Sequence, residues 1–293
     1  MKRVFMIGIV LVIGIGSAVW SEWRKADAPV SARALLNFIA DAEREASRVP
    51  LRLTRLSDAE EIDIGNQLAR RRTSFKPPSS DPDGDRRMEN YVKIVGQRVR
   101  GSAKRALPYE FHYIPDPGFM NAFALPGGHV FVGQGLLSVM ETEDQLAAVL
   151  GHEIEHVDLY HCAERVQVES RARKIPLGEL ISLPVMIFQA GYTKNQELES
   201  DREGVWLAVR AGYSPYGAIR MFEKFEELRA TYVIRAKNPS QELSQVTVEM
   251  LRDYFRSHPL PDERIQQIRD LIGKHQWEDR KKETPLEVTV RKL

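Results

Sequence analysis

Cysteine is nearly absent. Cys162 is the only one in 293 residues, which excludes an intrachain disulfide and a Cys-based zinc cluster, so any metal has to be held by histidine and carboxylate. A lone thiol on a helical stretch reads as a packing residue, because reactivity needs an electropositive, exposed setting. Charge of one sign is also missing. With 42 basic against 41 acidic residues the formal net charge is +1, which advertises neither a nucleic-acid surface nor an acidic partner. No internal repeat is visible in the sequence, so a helical-repeat partner domain is not expected. Past the N-terminal run no segment is long and apolar enough to span a bilayer. The most apolar stretch there, "PLGELISLPVMIFQAGY" (residues 176–192), is interrupted by Pro184 and too short, so core helix and membrane-dipping surface are both open.

What is present starts at the N-terminus. Lys2 and Arg3 precede the apolar run "VFMIGIVLVIGIGSAVW", residues 4–20, which as a helix would be ~25 Å long, just short of a comfortable hydrocarbon crossing. Gly16 and Ala18 suit a cleavage site, whereas Trp20 and Trp23 suit a membrane interface. Residues 1–25 therefore read as a cleaved signal peptide or a retained anchor. Either way, the basic flank leaves the body of the chain in the periplasm or facing it from the membrane. Residues 26–54, with "SARALLNFIADAEREA", read as a linker helix.

An apolar share of 43% is ordinary for a globular domain with a core. Ser57 and Glu60 make a capping box before "SDAEEIDIGNQLARRR", and a second helical pattern, "RRMENYVKIVGQRVRGSA", follows the break "KPPSSDPDGD". "YEFHYIP" (109–115) then alternates like a strand, and "NAFALPGGHVFV" (121–132) reads as a hairpin turning at Pro126-Gly127-Gly128. Thr142 and Gln145 form a further capping box. It opens one long helix through "EDQLAAVLGHEIEHVDLYHCAERVQ". Helices are expected over "KNQELESDREGVWLAVRAGY", from Ser214-Pro215, over 241–256 and over "PDERIQQIRDLIGK". The whole is an α+β domain over 55–275, mainly helical with a small sheet beside the long helix, followed by a tail at 276–293.

The stretch "HEIEH" carries the chemistry. Residues four apart share a helix face, so His152 and His156 can both reach one ion at ~2.0–2.1 Å, and Glu153 flanks the place where a water would sit. Zinc lowers the pKa of such a water toward ~7, and a neighbouring carboxylate can take its proton and pass it to a leaving amine. A catalytic zinc needs a third protein ligand. The metzincin pattern fails, because position 159 is Leu and position 162 is Cys. His161, five residues past His156 on a continuous helix, would point away from the metal. "ELESD" offers Glu197 as ligand and Asp201, on the same face, as acceptor for the far nitrogen of a ligating histidine, with Glu199 and Glu203 as rivals.

These blocks, "EDQLAAVLGHEIEH", "NAFALPGGHVFVGQGLL", "QELESDREG" and "HPLPDER", resemble in order the zinc peptidases of family 48, the HtpX, Oma and CAAX-prenyl-protease type, close to its BepA-like and LoiP-like periplasmic members. The resemblance implies a zincin-like gluzincin domain with one zinc per chain, held by His152, His156 and Glu197, with Glu153 as general base and Asp201 behind a ligand. It further implies an edge strand at Asn121, Ala122 and Phe123 that pairs with an extended polypeptide substrate. His258 would approach the metal or the developing oxyanion, and Arg264 would support it or pair with a carboxylate. Two departures stand out: Glu155 where the family is usually small, read as potential at the mouth of the site or as solvated, and Tyr160 where Arg is frequent. The expected function is a zinc endopeptidase acting on unfolded or extended polypeptides, such as misfolded envelope or membrane proteins. A chaperone or assembly factor on a peptidase scaffold is the alternative.

Overall fold

In a computed structural model the described residues are 55–73, 81–173, 188, 191–235 and 262–286. The N-terminal apolar run, the linker helix, most of 176–192, the expected helix at 241–256 and His258 lie outside them. Among the described residues no helix is long and apolar enough to cross a membrane.

Two helices lead. α1 (Asp58–Thr73) opens on the expected box, in which Glu60 accepts from the backbone N–H and the hydroxyl of Ser57 at 2.8 and 2.7 Å. α2 (Pro82–Val99) begins inside the stretch read as a break, because Pro82 occupies the first turn and Asp81 accepts from Gly84 N–H at 2.9 Å. The sheet follows: β1 (Glu110–Ile114), β2 (Ala122–Leu125) and β3 (His129–Gly133), in the order β1-β3-β2. β2 and β3 are antiparallel and joined by a single 3-10 turn at Pro126–Gly128, where Gly127 takes φ 78°. β1 lies parallel to β3. The hairpin is as the sequence indicates.

α3 (Gln134–Ser138) is short, and α4 (Glu143–Asp158) carries the motif. Its capping box is formed: Thr142 N–H donates to Gln145 Oε1 at 2.9 Å and Gln145 N–H to Thr142 Oγ1 at 3.3 Å. Every residue from Asp144 to Asp158 is buried, as befits a central helix enclosed on all sides. α4 packs on β2 at one side and on α6 (Lys194–Arg210) and α7 (Tyr216–Arg235) at the other, and α8 (Asp262–Lys274) covers α6 and α7.

The long helix expected through residue 167 is in fact two. α4 stops at Asp158, Tyr160 adopts φ 66°, and α5 (His161–Arg173) starts in a new direction. A left-handed residue ends a helix, and a tyrosine there is costly. Arg55 and Arg105 each stand 3.7 Å from the centre of the Tyr160 ring, which offsets part of that cost. At the other end of α4, residues 284–286 run alongside residues 141–144: Glu143 N–H donates to Thr284 O at 2.9 Å and Thr284 N–H to Asp144 at 2.5 Å. Trp277 and Leu286 are buried.

Candidate metal centre

α4 and α6 cross at two glycines. A Cβ on Gly151 would lie 2.5 Å from Gly204 O, and one on Gly204 would lie 2.6 Å from His152 N. Backbone therefore touches backbone at this crossing, and the acidic face of α6 is brought directly over the two histidines. Thr193 and Gln196 cap the start of α6, placing Glu197 in its first turn.

Three buried ligand atoms converge there. His152 Nε2 lies 3.0 Å from His156 Nε2, and Glu197 brings Oε2 to 3.5 Å from the first and Oε1 to 3.6 Å from the second. A tetrahedral ion with arms of ~2.0–2.1 Å sets its ligand atoms ~3.3 Å apart. The triangle fits that edge length to within a few tenths of an ångström, and two imidazoles with one carboxylate form a donor set suited to zinc.

Each imidazole is held from behind. His152 Nδ1 meets Asp201 Oδ1 at 2.8 Å, and a carboxylate accepts, so Nδ1 carries the proton and Nε2 turns its lone pair inward. Asp201 is gripped in turn by Arg264, through Nε at 2.5 Å and Nη2 at 2.7 Å, and Nη2 also stands 3.5 Å from Glu197. Burial pushes the Asp201 carboxyl up, but Arg264 and His152 outweigh it and hold it below the usual carboxylate range. Burial likewise opposes charge on His152, yet Asp201 and Glu197 push its pKa up to about 10. The position draws positive charge, which a dication supplies as well as a proton.

His156 is backed differently. Its Nδ1 lies 3.0 Å from His161 Nδ1 and 3.3 Å from Ser200 Oγ, and His161 Nε2 faces Glu199 at 3.5 Å. His161 therefore stands behind His156, against the ring nitrogen turned from the centre, because the break at Tyr160 re-aims it. Tyr192 stacks on the His156 ring at 3.9 Å and reaches Cys162 Sγ at 3.3 Å. Cys162 is buried, which pushes its thiol well up and leaves it inert. Glu203 pairs with Lys104 at 3.1 Å and Arg202 at 3.0 Å, so the rival ligand is engaged elsewhere. Glu155 is neither solvated nor at the site's mouth. It is 1% exposed, and burial followed by Asp158 pushes its carboxyl up to about 8.

Glu153 is buried and lines, with His152, Met221, Phe222 and Arg264, a cavity of about 30 Å³. That is room for a water molecule beside the carboxylate and one of the metal-facing imidazoles. Ala122 and Phe123 open β2, an outer strand of the three, Asn121 immediately precedes it, and all are buried. Arg264 pairs with the carboxylates of Asp201 and Glu197.

Ser200, Tyr192 and the support given by His161 are not in the sequence reading. Ser200 was detectable, since it sits three residues after Glu197 on the same face of α6. Tyr192 was not, since it precedes the helix and no periodicity aims it.

The profile described as Peptidase family M48 matches residues 86–183 and 176–272. The chain belongs to peptidase family M48. Among its relatives, the beta-barrel assembly-enhancing protease of Escherichia coli (strain K12) is 26% identical over 237 residues, 73% of this chain and 44% of that protein. The mitochondrial metalloendopeptidase OMA1 of Schizosaccharomyces pombe is 31% identical over 160 residues, 49% of this chain and 47% of that protein. Metalloprotease LoiP of Escherichia coli (strain K12) is 25% identical over 235 residues, 74% of this chain and 82% of that protein. The chain thus spans less than half the length of the assembly-enhancing proteases it matches. Membership of this metallopeptidase family implies a metal cofactor.

Proposed function

We propose that this chain is a zinc endopeptidase that cleaves extended or unfolded polypeptides and serves protein quality control in the cell envelope. The observation that carries the reading is the buried triangle of His152 Nε2, His156 Nε2 and the Glu197 carboxylate, with Glu153 one residue from a ligand and beside a water-sized cavity. A chaperone on the same scaffold would need the triangle but not a buried carboxylate at Glu153, so the enzyme is the better reading.

Zinc, when bound, supplies Lewis acidity, which acidifies water and polarises a carbonyl. The residues of the chain do the rest. His152 and His156 present lone pairs because Asp201 and His161 occupy their far nitrogens. Glu153 takes a proton at its carboxylate as water attacks the peptide carbonyl, and returns it to the leaving amine. Arg264 acts as a positioning residue, neutralising Asp201 and Glu197 in a buried setting. Asn121, Ala122 and Phe123 would meet the substrate backbone by strand pairing.

The names of the assembly-enhancing proteases support an envelope role, and the basic flank followed by an apolar run supports placement in the periplasm or at the membrane facing it. Glu197→Gln tests the ligand set. Zinc content should fall to near zero at that site and casein cleavage with it, whereas unchanged zinc would reject Glu197 as a ligand.

A further inference from the structure

A second set of ligand atoms converges on the sheet. β1 and β3 pair in parallel with Glu110 opposite His129 and His112 opposite Phe131. Side chains alternate along a strand, so Glu110, His112, His129 and Phe131 share one face, while Phe111, Tyr113, Val130 and Val132 are buried in the core on the other. His112 Nε2 lies 3.1 Å from His129 Nδ1. Glu110 Oε2 lies 3.7 Å from His129 Nδ1 and 3.9 Å from His112 Nε2.

The rings are oriented for this meeting. His129 Nε2 faces Asn66 Oδ1 of α1 at 2.9 Å, and an amide oxygen only accepts. Nε2 therefore carries the proton and Nδ1 keeps its lone pair, turned toward the His112 ring and the Glu110 carboxylate, the same backing that Asp201 gives His152. Stacking of His112 on Phe131, with ring centres 4.4 Å apart, fixes the second ring.

We infer that Glu110, His112 and His129 form a second metal site, distinct from the His152 centre, that takes a divalent first-row ion of the zinc or copper(II) type, with Asn66 fixing the His129 tautomer. Two imidazoles and a carboxylate are the donors such ions prefer, and the separations lie near the ~3.3 Å edge of a tetrahedron with arms of ~2.0–2.1 Å. The Glu110 carboxylate is 58% exposed and can close the last few tenths of an ångström by a rotamer adjustment. Access is provided by a groove of about 310 Å³ beside His112, lined also by Arg72, Glu89 and Phe131. Bound there, the ion would tie β1 to β3, and through Asn66 to α1.

A plain hydrogen bond from one ring to the other would satisfy the same two nitrogens, and metal titration separates the two. The full chain, already loaded with zinc at its catalytic centre, is dialysed against micromolar free zinc, and bound metal is counted per chain. The parent should hold a second equivalent. His112→Gln should lose it while keeping the first equivalent and casein cleavage. Glu110→Gln, a surface change that leaves the fold intact, should bind the second ion at least ~10-fold more weakly, and Asn66→Leu should weaken it ~10–100-fold as loss of a histidine's backing partner does elsewhere. With copper(II) in place of the second zinc, electron paramagnetic resonance should show splitting from two imidazole nitrogens. A parent that stops at one equivalent overturns the inference, and so does a second equivalent that persists in both His112→Gln and Glu110→Gln.

Discussion

His152 is held at both ring nitrogens, and the two contacts have different consequences. Nε2 belongs to the triangle with His156 and Glu197, while Nδ1 is committed to Asp201, itself clamped by Arg264. Asp201→Asn keeps an acceptor for the imidazole but removes the charge that Arg264 neutralises. A guanidinium that is 4% exposed and loses one of its two carboxylates is left poorly neutralised, which is expensive, and loss of a partner behind a ligand weakens metal binding ~10–100-fold. The variant should therefore show weaker zinc binding by competition with a chelating dye and a lower melting temperature. Unchanged zinc affinity would mean that Asp201 does not set the basicity of His152.

At the scale of elements, the site depends on how closely α4 and α6 approach. A methyl on Gly204 would sit 2.6 Å from the backbone nitrogen of His152, where neither side is a flexible side chain. Gly204→Ala should cost ~1–3 kcal/mol or more through overpacking. It should also displace His152 from Glu197, so zinc affinity falls together with the denaturation midpoint. A variant with full stability and full zinc affinity would show that the crossing tolerates a wider spacing. The capping boxes at Ser57 and Thr142, the hairpin turn and the shared helix face of His152 and His156 follow from local rules. Capping and turn chemistry act over three or four residues, and helix-face spacing needs only an unbroken helix. The direction of His161 was not legible for that same reason. Its expected direction presumes a continuous helix, and the left-handed turn at Tyr160 is stabilised by Arg55 and Arg105 from far along the chain. Burial of Glu155 escapes for a related reason, since an amphipathic helix would leave such a residue in water, whereas α4 is enclosed on every side.

Across the molecule, the ion would link α4 to α6 through residues separated by the whole of α5. A ligand that binds only the folded state stabilises it by RT ln(1 + [L]/Kd), ~2.7 kcal/mol at a 100-fold excess over Kd. Treatment with 1,10-phenanthroline should therefore lower the melting temperature, and added zinc should restore it in a concentration-dependent way. Equal melting temperatures with and without chelator would argue against a metal bound by the folded state alone. The class of the fold, α+β and mainly helical, is readable from periodicity. The gathering of α7, α8 and residues 284–286 around α4 is not, because it is made by long-range contacts such as Thr284 with Asp144.

In the proposed mechanism Glu153 moves the proton while His152, His156 and Glu197 hold the metal, so one variant separates the two. In Glu153→Gln, casein cleavage is measured at matched zinc occupancy against the parent. The predicted result is a fall of at least ~100-fold, the lower range for loss of a general base, with zinc retained in full. Cleavage at the parental rate with zinc bound would contradict the mechanism.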